Sequence, residues 1–256
     1  MKILYLDIET APKLAYVWRF FKENISPKQV LTHGHIMSFT AIWNDEDSFI
    51  YSENRNNNSD DEIVGQLVQL LDEADLVIGH NVEAFDCHTI NGRALVCGLA
   101  PPSPYKIVDT YKASTREFKF EKNTLEYLCE VLNCKHKKLS HKKFPGFELW
   151  VECLAGNEEA WEEMRDYNIM DTFSVRDVYK KMRPWIRNHP NVAVHLEIDG
   201  HACPKCGSTH VQRRGYAYTN SGKYQRFRCN GCGGWARSRY TEYPTEKKKE
   251  LLANAV

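Results

Sequence analysis

The opening stretch Ile3-Leu4-Tyr5-Leu6-Asp7-Ile8-Glu9-Thr10 sets two carboxylates two residues apart at the end of an apolar run. Side chains on a strand alternate faces with period two, so Asp7 and Glu9 project to the same side. Apolar residues on both faces imply a central, buried strand. Two carboxylates side by side there repel each other, and desolvating them is costly unless a cation lies between them. Hard oxygen donors this close suit Mg²⁺ or Mn²⁺. The plain alternative is a strand that has run out into a polar loop.

Further along, Asp86 falls where a short apolar strand turns into a helix. Asp171 falls on a helical stripe formed by Trp161, Met164, Tyr167, Asp171, Val175, Val178 and Met182. A carboxylate on a buried stripe needs a partner, because a lone buried charge is very costly. Tyr167 lies one turn earlier on the same face.

A second chemistry is written in cysteines. Cys203-Pro-Lys-Cys206-Gly207 and Cys229-Asn-Gly-Cys232-Gly233 are two C-x₂-C turns with 22 residues between them. That spacing matches a four-cysteine zinc site, with each turn presenting two thiolates to one ion. The glycine after each pair permits a tight turn. His201 and His210 could replace a ligand, but four cysteines already fill a tetrahedron. Cys87, Cys97, Cys129, Cys134 and Cys153 lack such spacing and read as buried or loop thiols. Between the two turns lie Arg213, Arg214, Tyr216, Tyr218, Lys223, Tyr224, Arg226, Phe227 and Arg228. Basic residues interleaved with aromatics fit nucleic-acid binding by phosphate contact and base stacking. A protein-docking surface, for a replication or repair protein, is the rival reading.

The elements that must position these groups follow from pattern. His35 to Trp43 reads as a strand with Ser48 to Ser52 as its hairpin partner. Ser59 or Asp60 caps a helix to Glu73, with Ile63, Leu67, Leu70 and Leu71 on one face. Asp75 to Gly79 is a short strand, followed from Asp86 by a helix to about Gly98. Lys106 to Thr110 is another strand, and Asn123 or Thr124 caps a helix to about Leu132. Asn157 caps the long helix, and Pro184 ends it. Residues 11–34 look irregular, and Trp18, Phe20 and Phe21 there read as loop-packing aromatics, with base stacking the alternative. The basic run 135–143 reads as exposed, either solvated or facing a phosphate backbone.

Charge divides the chain. Residues 200–256 hold eleven Lys and Arg against three Glu, and the other 23 basic and 31 acidic residues lie in 1–199, so a +8 tail follows a −8 body. That fits a cation-binding catalytic domain joined to a polyanion-binding module. A tail that is basic only for solubility is the other reading. Domains are expected at 1–190 and 200–243, with a polar tail at 244–256. No run of about 18 apolar residues suggests a membrane span. The start lacks a basic-then-apolar leader, and nine cysteines then read as thiols and metal ligands of a cytoplasmic protein.

The acidic set resembles the DEDD superfamily of 3′–5′ exonucleases. Asp7-Ile-Glu9 matches the first motif and Gly79-His80-Asn81-x₃-Phe85-Asp86 the second. Tyr167-x₃-Asp171 matches the third, in the tyrosine-bearing subgroup that includes the proofreading domains of family B polymerases. D-x-E or Y-x₃-D alone occurs often by chance; all three in order, on the expected element types, are specific. Ile107-Val108-Asp109-Thr110 and Asn123-Thr124-Leu125-Glu126-Tyr127-Leu128 also look like the family, and the likeness covers about residues 1–185. It implies a ribonuclease H-like fold, a mixed five-stranded sheet with helices on both faces.

The resemblance also implies a mechanism and a substrate. Two divalent ions, Mg²⁺ or Mn²⁺ and roughly 3.5–4 Å apart, would clamp the scissile phosphate. Asp7 would bridge them, Glu9 and Asp171 would join the first, and Asp86 would hold the second. Tyr167, a phenol of pKa about 10, would orient the attacking water rather than act as base. Asn81 would hydrogen-bond substrate, and His80 would shape the 3′-end pocket or support its loop. Asp109 reads as a residue that fixes a strand end or nearby backbone. The tail resembles a zinc ribbon, holding one structural Zn²⁺ and gripping substrate through Arg213, Arg214, Tyr224, Arg226 and Arg228. The expected activity is 3′–5′ exonuclease on DNA, single-stranded by preference, in replication or repair, as in free-standing relatives that include phage proteins. An exoribonuclease and a catalytically silent nucleic-acid-binding adaptor remain as alternatives.

Overall fold

The structure is a computed structural model that describes residues 1–56, 59–137 and 143–252. It divides into two compact units, Lys2–Tyr179 and Lys180–Val256, the latter taking in Met1. The basic run at 135–143 falls partly outside the described residues.

In the larger unit the elements follow as β1 (Ile3–Thr10), β2 (Leu14–Ala15), β3 (Val30–Thr32), β4 (Ile36–Trp43), β5 (Ile50–Glu53), α1 (Asp61–Glu73), β6 (Leu76–Gly79), α2 (Asp86–Val96) and β7 (Lys106–Asp109). Then come α3 (Thr110–Glu117), α4 (Leu125–Val131), α5 (Glu148–Leu154) and α6 (Glu158–Met182). Five strands make one mixed sheet in the order β5-β4-β1-β6-β7. Strand β1 is its centre, antiparallel to β4 and parallel to β6. Leu4, Leu6 and Ile8 point into a core built with Ile63, Val64, Leu67 and Leu71 of α1 and Ile90 of α2. The sheet is the ribonuclease H-like arrangement expected from the motifs.

Pairing between β1 and β6 ends at Tyr5 opposite Ile78, whereas β1 continues beside β4 to Thr10. Asp7 and Glu9 therefore lie past the carboxyl end of the parallel strands. Open α/β sheets place their ligands at that edge.

Two helices escaped the periodic reading. The buried residues of α3 are Thr110, Ala113 and Ser114, a stripe at helical spacing without a large apolar side chain. In α5 only Leu149 and Cys153 are buried, over two turns. Residues 11–34 are also more ordered than expected. Strands β2 and β3 pair, and Ser26 with Gln29 forms a capping box around the turn at Pro27–Gln29.

Asp60 sits at the start of α1, but its carboxylate makes no cap bond. It accepts instead from Ile36 N–H at 2.9 Å and from Arg93 Nη2 at 2.5 Å. The Asp60 side chain is fully buried while that of Arg93 is 25% exposed. Removing the cation would strand a buried carboxylate. Arg93→Ala should therefore cost about 3–5 kcal/mol in urea unfolding. A loss below about 1 kcal/mol would mean that water or a proton compensates Asp60 cheaply.

In the smaller unit, β8 (Val211–Thr219), β9 (Gly222–Cys229) and β10 (Trp235–Arg237) form a three-stranded antiparallel sheet in the order β10-β9-β8. A short helix, α7 (Thr245–Glu250), follows. Among the described residues, no helix is long and apolar enough to cross a membrane.

Candidate functional site

Asp7, Glu9, Asp86, Tyr167 and Asp171 all line one cavity of about 500 Å³, and His80 and Asn81 line it with them. The sheet edge supplies Asp7 and Glu9, the first turn of α2 supplies Asp86, and α6 supplies Tyr167 and Asp171. Asp7 and Glu9 are half-buried, and Asp86 and Asp171 are buried.

Local geometry ties these elements together. Past the last β1–β6 pair, the Ile8 N–H is donated to Asp86 Oδ1 at 3.0 Å. Burial pushes the Asp86 carboxyl up to about 7; the Ile8 bond pulls it down, and nearby Asp109 adds to the rise. A carboxylate in that state is one that a cation would return to its charged form.

Asp7 is held by a residue the sequence reading did not single out. Asn168 Nδ2 donates to Asp7 Oδ2 at 2.7 Å and to Asp7 O at 3.2 Å. The Asn168 Oδ1 accepts in turn from Thr40 Oγ1 at 3.0 Å. Asn168 is fully buried, one helical turn before Asp171 and directly after Tyr167. Its signal was an amide on the inner face of an amphipathic helix. The Tyr167 ring meets Trp150 edge-on with centroids 6.1 Å apart, which fixes its plane.

The loop at 79–83 is shaped by close approach. A side chain at Gly79 would come within 2.5 Å of Val82 Cβ and 2.9 Å of Leu6 O. Asn81 has a positive φ of 64°, a conformation asparagine tolerates better than most residues. Asp109 Oδ1 accepts from Asn81 N–H at 3.0 Å and Oδ2 from Glu83 N–H at 3.2 Å. The same carboxylate caps α3 through Tyr111 and Lys112 N–H. Asp109 thus fixes neighbouring backbone. Thr110 Oγ1 donates to Gly79 O at 3.0 Å and accepts from His80 Nδ1 at 2.9 Å. His80 is therefore tied to the loop through that nitrogen.

The acidic lining consists of carboxylate oxygens, the donor set for a hard divalent ion. The cysteine cluster is the opposite kind. The four sulfurs of Cys203, Cys206, Cys229 and Cys232 lie within 4.8 Å of one another. Cys203 and Cys232 are 3.7 Å apart, and Cys206 and Cys229 are 3.6 Å apart. Zinc–sulfur bonds of about 2.3 Å in a tetrahedron require sulfur separations of about 3.8 Å. The donors fit Zn²⁺ and are compatible with a zinc ribbon. Gly207 and Gly233, one after each pair, have φ of 75° and 79°. Backbone N–H groups of Cys232 and Gly234 point at Cys229 and Cys232 sulfur, both at 3.4 Å. His201 packs on Phe227 with ring centroids 4.6 Å apart.

The basic residues of this unit divide between faces. Arg226 and Arg228 alternate with buried Phe227 and are exposed, sharing one face of β9 with half-buried Tyr224. Trp235 and Arg237 pair opposite Arg228 and Arg226 and share that face. Arg226 stacks over Trp235 at 4.9 Å, and Arg237 over Tyr224 at 4.0 Å. Arg213 pairs with Phe227 and so shares the other face. Arg214 sits at the irregularity between Arg213 and Tyr216, its carbonyl accepting from Arg226 Nε at 2.9 Å.

The family model of the RNase_H superfamily matches residues 28–183. No curated protein matches the chain. Among solved structures, the chain is similar to the family B DNA polymerase from the hyperthermophilic archaeon Pyrobaculum calidifontis, with a TM-score of 0.54 and 16% identity. The match covers 72% of this chain and 24% of the polymerase chain, so this chain spans about a quarter of that protein's length.

Proposed function

Since the chain belongs to the RNase H superfamily, we propose that it is a metal-dependent 3′–5′ exonuclease acting on single-stranded DNA. The observation that carries this reading is the single cavity into which Asp7, Glu9, Asp86, Tyr167 and Asp171 all open. Mg²⁺ or Mn²⁺, when bound, supplies charge neutralisation of the phosphate and activation of the attacking water. Asp7, Glu9 and Asp171 would hold one ion, and Asp7 with Asp86 a second.

The chain's own groups do the rest. Asn168 fixes the Asp7 carboxylate in one orientation before any ion arrives. Burial, with Asp109 adding to it, raises the Asp86 carboxyl to about 7, so a bound cation would favour its charged form. The Tyr167 hydroxyl orients the attacking water, and Trp150 keeps the ring from rotating away. Asn81 and His80, on the loop braced by Asp109 and Thr110, face the terminal nucleotide. The 3′–5′ polarity and the choice of DNA rest on the tyrosine-bearing motif set.

The cysteine unit is proposed to be a zinc ribbon that grips the substrate. Its Arg226, Arg228, Arg237, Trp235 and Tyr224 face offers phosphate contacts and ring surfaces together. Arg213, on the other face, does not join that patch, and Arg214 flanks it.

Digestion of 5′-labelled single-stranded DNA and RNA with Mg²⁺ or Mn²⁺ tests the reading. The expected result is a descending DNA ladder, lost when divalent ions are omitted and lost in Asp7→Ala. A ladder on RNA alone would replace the substrate with RNA. No cleavage of either by folded, metal-loaded protein would overturn the enzymatic reading in favour of a binding adaptor.

A further inference from the structure

The packing expected of Trp18, Phe20 and Phe21 is not what the structure shows. Their exposures are 94%, 94% and 82%, and Tyr16 before them is 70% exposed. Aromatic rings in water contribute nothing to folding, so four together on one loop need another reason.

The loop that carries them is firmly built. Glu23 accepts the N–H groups of Trp18 at 2.9 Å and Arg19 at 2.8 Å. Gln29 Nε2 donates to Tyr16 O at 2.9 Å and to Glu23 Oε1 at 3.1 Å. The paired strands β2 and β3 close its base. Rings held out by a braced backbone lose little freedom when something stacks on them.

Charge points to the occupant. Residues 11–34 contain Lys13, Arg19, Lys22 and Lys28 but only Glu23 as an acid, a net of +3 within a body of −8. All four cations are exposed. The stretch Trp18-Arg19-Phe20-Phe21-Lys22 interleaves three rings with two cations, the composition that takes bases and phosphates together. The apolar core of a protein interface is instead depleted in charge. A duplex hides the faces of its bases, so the match is to an unpaired strand.

Position agrees with this. A second cavity, of about 320 Å³, is lined by Glu9, Thr10, Ala11, Pro12, Phe147 and Trp150. It shares Glu9 with the acid-lined cavity, and its Trp150 touches Tyr167. Strand β2 and then the aromatic loop begin just beyond Pro12.

We propose that residues 16–22 form a stacking platform for the single-stranded nucleic acid whose 3′ end enters the acid-lined cavity. This rests on the nuclease reading for the strand's destination, though not for the binding itself. Stacking is indifferent to the sugar, so the platform serves DNA and RNA alike.

The test uses the full chain and the variant Trp18→Ala/Phe20→Ala/Phe21→Ala. Affinity for a 5′-labelled single-stranded oligonucleotide is read by fluorescence anisotropy, with Ca²⁺ in place of the catalytic ion. The variant should bind at least about tenfold more weakly, given the usual loss per stacked base. Trp18→Phe, which keeps a ring, should bind within about threefold of the parent. Hydrolysis of the p-nitrophenyl ester of thymidine 5′-monophosphate with Mn²⁺, which is too short to reach the loop, should be the same in both proteins. If neither protein cleaves anything yet the affinities still differ, the nuclease reading fails and the platform stands. Equal affinities, or no binding by the parent, overturn the platform and leave the loop to a protein partner.

Discussion

Asp171→Asn is expected to lower turnover of single-stranded DNA by at least about a thousandfold while leaving the fold intact. The reasoning begins with burial. Asp171 is 4% exposed on the inner stripe of α6, where burial opposes a charged carboxylate. Asparagine has the same size and keeps a polar atom in the same place, but it removes the negative charge. Removing that charge relieves its desolvation, so the fold should tolerate the neutral amide. Catalysis differs, because a divalent ion at a phosphodiester is worth several kcal/mol and each 1.36 kcal/mol is about tenfold in rate. Single-turnover cleavage beside thermal unfolding separates the two effects. A cooperative transition within a few degrees of the parent, together with lost cleavage, is the expected pair. Full activity in a folded variant would remove Asp171 from the machinery and break the third motif.

The acid-lined cavity was legible because three of its acids interrupt a simple pattern. Asp7 and Glu9 break a period of two on a buried strand, and Asp171 breaks a period of 3.6 on a buried stripe. A charge placed where burial is otherwise enforced has a cost that only function or a partner offsets. Asn168 breaks the same inner face, yet an amide is cheap enough to bury that it drew no attention. Its role appears only when Asp7 and Thr40 are brought to it from the sheet. Helix α3 was invisible for a related reason: its buried face is Thr110, Ala113 and Ser114, and pattern reading looks for large apolar groups. The aromatic loop misled in the opposite direction. Trp and Phe default to the core, and nothing local says that Trp18 and Phe20 have no core above them. In the cysteine unit, the four-cysteine cluster could be read from spacing alone. The faces could not, because the irregularity between Arg213 and Tyr216 breaks the alternation that would have placed Arg213 and Arg214.

Removing the proposed zinc from the cysteine cluster should unfold the three-stranded sheet and leave the larger unit folded. Between residues 200 and 243 the buried apolar groups are Cys203, Phe227 and Cys229, and two of these three belong to the four-cysteine cluster. Every residue of β8 is at least partly exposed. Such a sheet has almost no core of its own, whereas a structural zinc site contributes about 10–16 kcal/mol to folding. Four thiols left 3.6–3.7 Å apart in pairs, without an ion, would have only weak contacts to hold them. The larger unit draws instead on the cluster around Leu4, Leu6, Leu67 and Val77, which needs no metal. Trypsin reads the difference directly, since Arg213, Arg214, Arg226 and Arg228 lie in the sheet strands. A zinc chelator, or Cys206→Ser/Cys229→Ser, should speed cleavage at these sites by roughly a hundredfold or more, as expected when a stabilisation of many kcal/mol is lost. Added Zn²⁺ should restore protection to the chelated parent but not to the variant. Oligonucleotide affinity should fall in step and lose part of its salt dependence, because the exposed arginine face exists only while the sheet does. If the strand arginines stay protected without metal, the sheet is held by its own contacts and the four cysteines are not its fold-determining ligands.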